Sequence, residues 1–155
     1  MATEPLTLLV FPDVFAVCRL PPDAPFPTWA HADPFVSITR TCDELSIVCP
    51  QSHVPDGIRA EPGWRCLKVE GPLDLALTGI LASLVGPLAT AGISIFTVAT
   101  YDTDYVLVKN QDIVRATEVL EQAGHQVRRH PETSAGAPVQ ERDLLLSRAK
   151  GNEWL

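Results

Sequence analysis

The sequence predicts an α+β fold of two ferredoxin-like units, with antiparallel sheets that carry helices on one face and with reduced helices in the first unit. Three observations lead to this fold class. Strand patterns of apolar and β-branched residues run along most of the 155-residue chain. Between residues 64 and 129, two helical patterns alternate with strands in the order β-α-β-β-α-β, which builds a four-stranded antiparallel sheet. Before residue 63, a proline-rich segment stands where a helix would be expected.

The first unit, residues 1–62, is predicted from its strands. Four apolar runs indicate strands at residues 6–10, 14–20, 35–40 and 44–50. Only one short helical turn fits the proline-rich segment, around Trp29. Residues 51–63 carry proline and glycine, and we expect them to link the two units.

The second unit, residues 63–130, has clearer elements. We expect strands at 64–70, 93–100, 105–109 and 125–129, with helices from Ile80 to Gly92 and over 111–123. Asn110 is a residue type that caps a helix start, and Gly92 and Gly124 are typical of helix ends. The turn-rich segment 131–155 is predicted to be a mobile tail or a short amphipathic helix.

Composition excludes several classes of function. A net charge of -7 argues against nucleic-acid and anionic-membrane partners, whose surfaces would repel the chain. The opening MATEPLTLLVFPD lacks the basic start of a signal peptide, so we expect a cytoplasmic protein. The four cysteines show no CxxC spacing and the four histidines no HxxH spacing. These patterns predict reduced, buried thiols and neither a metal site nor a cofactor.

The hairpin of the second unit carries an unusually polar turn, Thr100-Tyr101-Asp102-Thr103-Asp104. A tight hairpin needs only glycine or asparagine at its turn, so hydroxyl and carboxylate groups here indicate one wall of a ligand pocket. The alternative is that the two aspartates serve only the turn, since aspartate bonds its own backbone. Tyr101 would then pack on a neighbouring strand.

Three segments resemble tandem ACT-domain proteins: PFVSITRTCDELSIVCP, EGPLDLALTGILASLVGPLATAGISIF and ATYDTDYVLV. They are similar to small bacterial ACT proteins, to the ACT repeats of the CASTOR arginine sensors and, more distantly, to aspartokinase regulatory domains. The resemblance spans residues 5–130. It implies βαββαβ modules that bind amino acids at interfaces between domains and regulate a partner protein.

The resemblance also implies a ligand site shared between two ACT units. One side would be formed by the start of the first helix and by the hairpin turn, namely Thr78, Gly79, Ile80, Thr100, Tyr101 and Asp104. The facing unit would contribute Ser94 and Ile95. Because only the second unit keeps this pattern, the resemblance implies a homodimer, and the first unit lacks the GPLD…TG loop that a site of its own would need.

The chemistry of these residues suits an amino acid. Free amides at a helix N terminus suit a carboxylate, and Gly79 lets a ligand approach the backbone closely. Asp104 could accept bonds from an ammonium, with hydroxyls from Ser94 and Thr100 completing the polar shell. The alternative for Gly71 and Gly79 is that they serve only turns and tight packing.

We therefore expect a non-enzymatic regulatory module that senses an amino acid, acts as a homodimer and controls an unidentified protein. Two other classes stay open. A small enzyme on the same scaffold would use Asp102 and Asp104, the only close carboxylate pair near the pocket. An interaction protein without ligand would pair through its sheet edges or dock through the ERDLLLSR segment of the tail.

Overall fold

The computed structural model describes residues 4–31 and 34–131, so the segment predicted to be a tail lies almost wholly outside the described residues. The strands are β1 (Thr7–Leu20), β2 (Ser37–Arg40), β3 (Leu45–Pro50), β4 (Ala60–Val69), β5 (Ile95–Ala99), β6 (Asp104–Lys109) and β7 (Gln126–Arg129). The α-helices are α1 (Ile80–Thr90) and α2 (Ile113–Gln122), and short 3-10 turns form at Thr28–Ala30, Gln51–His53 and Asn110–Asp112. The α+β class is confirmed, as is the helical turn around Trp29.

All seven strands belong to one sheet with the order β2-β3-β1-β4-β6-β5, and β7 pairs with β1. The pairing of β1 with β7 is parallel, whereas the other five pairings are antiparallel. The predicted order β-α-β-β-α-β is confirmed by β4, α1, β5, β6, α2 and β7. The predicted four-stranded antiparallel sheet of these strands is wrong, because β7 pairs in parallel with β1, which lies between it and β4. The two predicted units therefore contribute to a shared sheet and do not form separate ones.

Strand β1 corrects the prediction of two strands at 6–10 and 14–20. It runs without interruption through Pro12 and Asp13, and its register against β4 shifts between Val10 and Val14. Such an irregularity tolerates proline because no ladder bond is needed from that residue. The first half of β1 pairs with β4 and β7, and the second half pairs with β3 and β4. The start of the chain thus completes the sheet of the second unit.

Several element boundaries also differ from expectation, and two of them have a clear structural reason. Strand β4 begins at Ala60, inside the predicted linker, because Ala60 pairs with Cys18 of β1. Helix α2 begins at Ile113, after a 3-10 turn, and not at residue 111. Asn110 does not cap this helix, since its Oδ1 accepts a hydrogen bond from Arg65 Nη1 at 3.4 Å.

Three groups of buried side chains form the core. The first lies between the sheet and the two helices, which confirms that both helices cover one face; it contains Leu8, Leu67, Leu84, Leu88, Val106 and Leu120, among others. The second lies on the opposite face and is rich in aromatics, including Phe11, Phe15, Phe35 and Trp64. The third, with Cys18, Leu45, Ile47 and Cys49, belongs to the strands of the first unit.

Candidate ligand-binding site

The loop that leads into α1 is joined to the polar hairpin turn between β5 and β6. The Leu73 amide donates a hydrogen bond to the Asp102 carbonyl at 2.7 Å, and the Thr103 hydroxyl donates to the Val69 carbonyl at 2.6 Å. At Gly71 a Cβ atom would lie only 3.1 Å from the Asp102 carbonyl oxygen. Loop and turn therefore form one wall, and a side chain at Gly71 would crowd their close approach.

The hydroxyl groups of the turn are used within the turn itself. The Thr100 amide and hydroxyl each donate to the Thr103 carbonyl at 2.9 Å, and the Thr103 amide donates to the Thr100 hydroxyl at 3.4 Å. Thr103 is buried, Tyr101 and Asp102 are exposed, and Asp104 is half-buried. Part of the polar character of this turn thus supports its shape, which leaves Tyr101 and the carboxylates to face outward.

A cleft of about 160 Å³ lies between this turn and the start of α1. It brings together four of the residues predicted for the site, Ile80, Thr100, Tyr101 and Asp104. Its remaining lining comes from the loop and the turn, namely Leu73, Asp74, Leu75, Leu77, Ala99, Asp102 and Thr103. On the other side of the same turn, Lys68 and Tyr105 line a second recess of about 350 Å³.

The N terminus of α1 lies at this cleft. Gly79 is its N-cap residue with φ at 79°, in the left-handed region, and Thr78 precedes it directly. The helix has no side-chain cap and no acidic residue in its first turn, and its first bond runs from the Ser83 amide to the Gly79 carbonyl. The amides of the first turn are therefore not used by a capping side chain.

The structure places Ser94 and Ile95 away from this cleft. Ile95 begins β5 and pairs with Val108, whereas Ala99, at the far end of the strand, pairs with Asp104 beside the cleft. Four residues of extended strand separate the two ends by about 13 Å. In a single chain these two residues cannot join the four predicted residues that line the cleft, and they could do so only from another copy. Thr78 and Gly79 precede the helix beside the cleft but do not line it.

Sequence reasoning missed Leu75 and Leu77, which form an apolar rim of the cleft together with Tyr101. Leu75, Leu77 and Tyr101 expose 69%, 54% and 81% of their surface, and all three line the cleft. They make up half of the six large hydrophobic side chains that the described residues leave exposed. The available signal was the segment PLDLAL, in which leucines occupy a turn where polar residues are usual. The three side chains thus leave apolar surface exposed at the edge of the cleft.

Within residues 4–31 and 34–131, no three His, Cys, Asp or Glu side chains are grouped so that they could hold a metal ion. No helix in that part of the chain is long and apolar enough to cross a membrane.

Known proteins resemble this chain over most of its length. A family model described as ACT domain matches residues 59–122, and a second model, described as an N-terminal domain, matches residues 13–57. A crystal structure of a protein from Agobacterium tumefaciens is 39% identical, with a TM-score of 0.79, and the match covers 84% of this chain and 97% of that one.

Two further relatives are more partial. The human cytosolic arginine sensor for mTORC1 subunit 1 is 39% identical over 59 residues, which are 37% of this chain and 18% of the sensor. This chain therefore matches less than a fifth of that relative's length. Aspartate kinase from Clostridium acetobutylicum shares the fold, with a TM-score of 0.57 and 13% identity over 75% of this chain and 34% of the kinase.

Proposed function

Because the chain carries an ACT domain over residues 59–122, we propose that it is a non-enzymatic regulatory module that binds a free amino acid at the cleft beside α1. The observation that carries this proposal is the uncapped N terminus of α1, which lies next to the Asp104 carboxylate across a small cleft. The two ends of this cleft have opposite electrostatic character. An amino acid carries both charges and can satisfy both ends.

The backbone of the ligand would be held by these two features. Its carboxylate accepts hydrogen bonds from the first-turn amides of α1, where the helix dipole also favours a negative charge. Its ammonium donates to Asp104, in a charge-assisted bond that contributes about 1.5–3 kcal/mol where water is partly excluded. Gly79 has no Cβ, so the ligand can approach the backbone at the helix start.

The cleft of one chain is too small to enclose such a ligand. Its volume of about 160 Å³ lies below the roughly 300–1,000 Å³ that is typical of small-molecule sites. The exposed Leu75, Leu77 and Tyr101 would contact a second copy, whose Ser94 and Ile95 then close the site. We therefore propose a homodimer in which each site is shared, with the second unit (residues 63–130) as the binding unit and the first unit (1–62) in support.

The relatives guide the choice of ligand. One is named as a cytosolic arginine sensor, and Asp102 and Asp104 lie where a cationic side chain or an ammonium could bind. Arginine is thus the first ligand to test. We also propose a cytoplasmic location and a separate protein as the target of regulation.

Thermal denaturation against each of the twenty amino acids tests this function. A ligand that binds only the folded state adds about 2.7 kcal/mol of stability at a hundredfold excess over its dissociation constant. We expect one or a few amino acids to raise the midpoint, with the rise reduced in Asp104→Asn and kept in Asp56→Asn. Asp56 is an exposed aspartate that does not line the cleft.

The absence of a shift with every amino acid would contradict the proposal and favour an interaction scaffold. An equal shift in both variants would show that an amino acid binds away from Asp104.

A further inference from the structure

A larger cavity, of about 490 Å³, lies at the other end of the sheet. It is bounded by the start of α2, by β7 and by the middle of β1, and it shares no lining residue with the cleft beside α1. Strand β6 begins at the cleft with Asp104 and ends at Lys109, next to the turn that leads into α2. The length of β6, about 17 Å, therefore separates the cleft from the cavity. The cavity is thus a separate feature.

The floor of this cavity is apolar. Val10, Ile113, Val114 and Val127 line it, and Val114 exposes 68% of its surface. Exposed apolar surface of this kind is unfavourable in water. An apolar ligand body would remove that surface from water.

The rim of this second cavity is positively charged, whereas the whole chain is negatively charged. Arg65, Arg128, Arg129 and His130 line the cavity, with Glu118 as the single acidic residue. The chain as a whole carries 19 acidic residues against 12 lysines and arginines. Three arginines around one cavity are therefore a local reversal that favours an anion.

Arg65 lines the cavity, and two protein acceptors fix its guanidinium in place. Its Nη2 donates to the Phe11 carbonyl at 2.9 Å, and its Nη1 donates to Asn110 Oδ1 at 3.4 Å. Its Nε is buried and has no acceptor among the described residues. Buried donors without acceptors are rare in folded proteins, since burial removes the hydrogen bond to water. The guanidinium thus keeps one donor that no described residue satisfies.

We propose that this cavity binds a small organic carboxylate with an apolar body. The carboxylate accepts hydrogen bonds from Arg65 and is held by the charges of Arg128 and Arg129, while the body lies on the valine and isoleucine floor. The volume falls in the range of roughly 300–1,000 Å³ that such sites occupy. Glu118 on the rim disfavours a second negative charge on the ligand, so a monocarboxylate is preferred.

Calorimetric titration of the full chain with octanoate tests the proposal, with octan-1-ol and acetate as matched probes. Octan-1-ol keeps the apolar body without the charge, and acetate keeps the charge without the body. We expect saturable binding of octanoate alone. Arg65→Gln should weaken it about tenfold or more, as expected for a buried charge-assisted bond, and Arg129→Gln about twofold to fivefold.

Two variants keep the test decisive. Arg129 is exposed, so its substitution does not threaten the fold. Arg65 donates a hydrogen bond to the Phe11 carbonyl, so its substitution could destabilise the fold. Arg59→Gln removes an exposed arginine outside the cavity and should leave octanoate binding unchanged.

Absence of saturable octanoate binding would overturn the proposal. Equal binding of octan-1-ol, or an Arg129→Gln variant that binds as the unmodified chain does, would also overturn it. Because the cleft residues are untouched by these variants, their response to amino acids reports separately on the function proposed above.

Discussion

Gly79 determines how helix α1 starts, and with it the position of the first-turn amides. Its φ of 79° lies in a region that costs a residue with a Cβ about 1–2 kcal/mol. No atom lies within 4 Å of the place a Cβ would take, so the cost would come from the backbone alone. Gly79→Ala should therefore lower the free energy of unfolding by about 1–2 kcal/mol in urea denaturation.

Gly86 provides the matched control, because it lies in the same helix, has ordinary φ and also has open space around it. Gly86→Ala should raise the free energy of unfolding by about 0.5–1 kcal/mol, since alanine favours a helix interior. A loss of stability in Gly86→Ala as large as that in Gly79→Ala would contradict the role given to the left-handed conformation.

At the scale of single residues, the sequence predicted residue types better than their contacts. Thr100 and Asp104 were predicted for the cleft and line it. Thr103 was not singled out, although its hydroxyl joins the turn to β4. A bond between residues 34 positions apart depends on how the loop and hairpin meet, and no local pattern encodes that.

Among the elements, α1 depends on a histidine from outside the helix. Pro87 has no amide hydrogen, so the Ser83 carbonyl lacks its usual donor four residues later. His125 Nε2 lies 3.3 Å from that carbonyl, and the Leu6 amide donates to His125 Nδ1 at 3.1 Å. Because Nδ1 accepts a hydrogen bond, the ring carries its hydrogen on Nε2, which donates to the Ser83 carbonyl. The buried side chain thus links α1, the chain before β1 and the start of β7.

We expect His125→Ala to lower the free energy of unfolding by about 1–3 kcal/mol, because two partly buried backbone groups lose their partners. In a Pro87→Ala background residue 87 regains an amide that can serve the Ser83 carbonyl. The same histidine substitution should then cost about 0.5–1.5 kcal/mol less. A double-mutant cycle in guanidinium chloride measures this difference, and equal costs in both backgrounds would contradict the assignment.

The elements of the second unit were predictable because their signals are local. Helical spacing identified α1, and a polar turn between apolar runs identified the β5–β6 hairpin. Strand β1 was not predictable as a single strand, because Pro12 and Asp13 are residue types that usually form turns. Only its neighbours β4 and β7 explain why the strand continues past them, and these pairings join residues far apart in the chain.

For the whole molecule, burial of a thiol in the sheet makes stability depend on pH. Burial raises the pKa of the Cys66 thiol, so the folded protein keeps this proton at alkaline pH. The unfolded chain releases it above about pH 8.5. The unfolded state then binds fewer protons, and stability falls as pH rises above that value, by up to about 1.4 kcal/mol per pH unit for each such group.

We expect Cys66→Ala to reduce the slope of stability against pH above about pH 8.5, as measured by urea denaturation at several pH values. The slope should not vanish, because a hydrogen bond with Cys18 and burial raise the pKa of Cys49, and burial raises the pKa of Tyr105. Cys42 is exposed, so Cys42→Ala is the control and should keep the original slope. An unchanged slope in Cys66→Ala would contradict the role of burial.

The proposed dimer makes a second prediction at this scale. Leu77→Glu places a charge on the apolar rim of the cleft and should shift light-scattering mass from dimer to monomer. Phe26→Glu changes another exposed hydrophobic residue, away from the rim, and should leave the mass unchanged. A dimer that persists in Leu77→Glu would place the interface elsewhere.

Amide chemical shifts locate a free amino acid bound where the start of α1 meets the β5–β6 turn. During titration of the ¹⁵N-labelled protein with arginine and then with the other amino acids, the amides of residues 80–82 and 100–104 should move together and saturate. The amides of residues 113–118, beside the second cavity, should stay in place. Saturating shifts confined to another part of the chain would place the ligand elsewhere. The absence of shifts with every amino acid would rule out an amino-acid ligand.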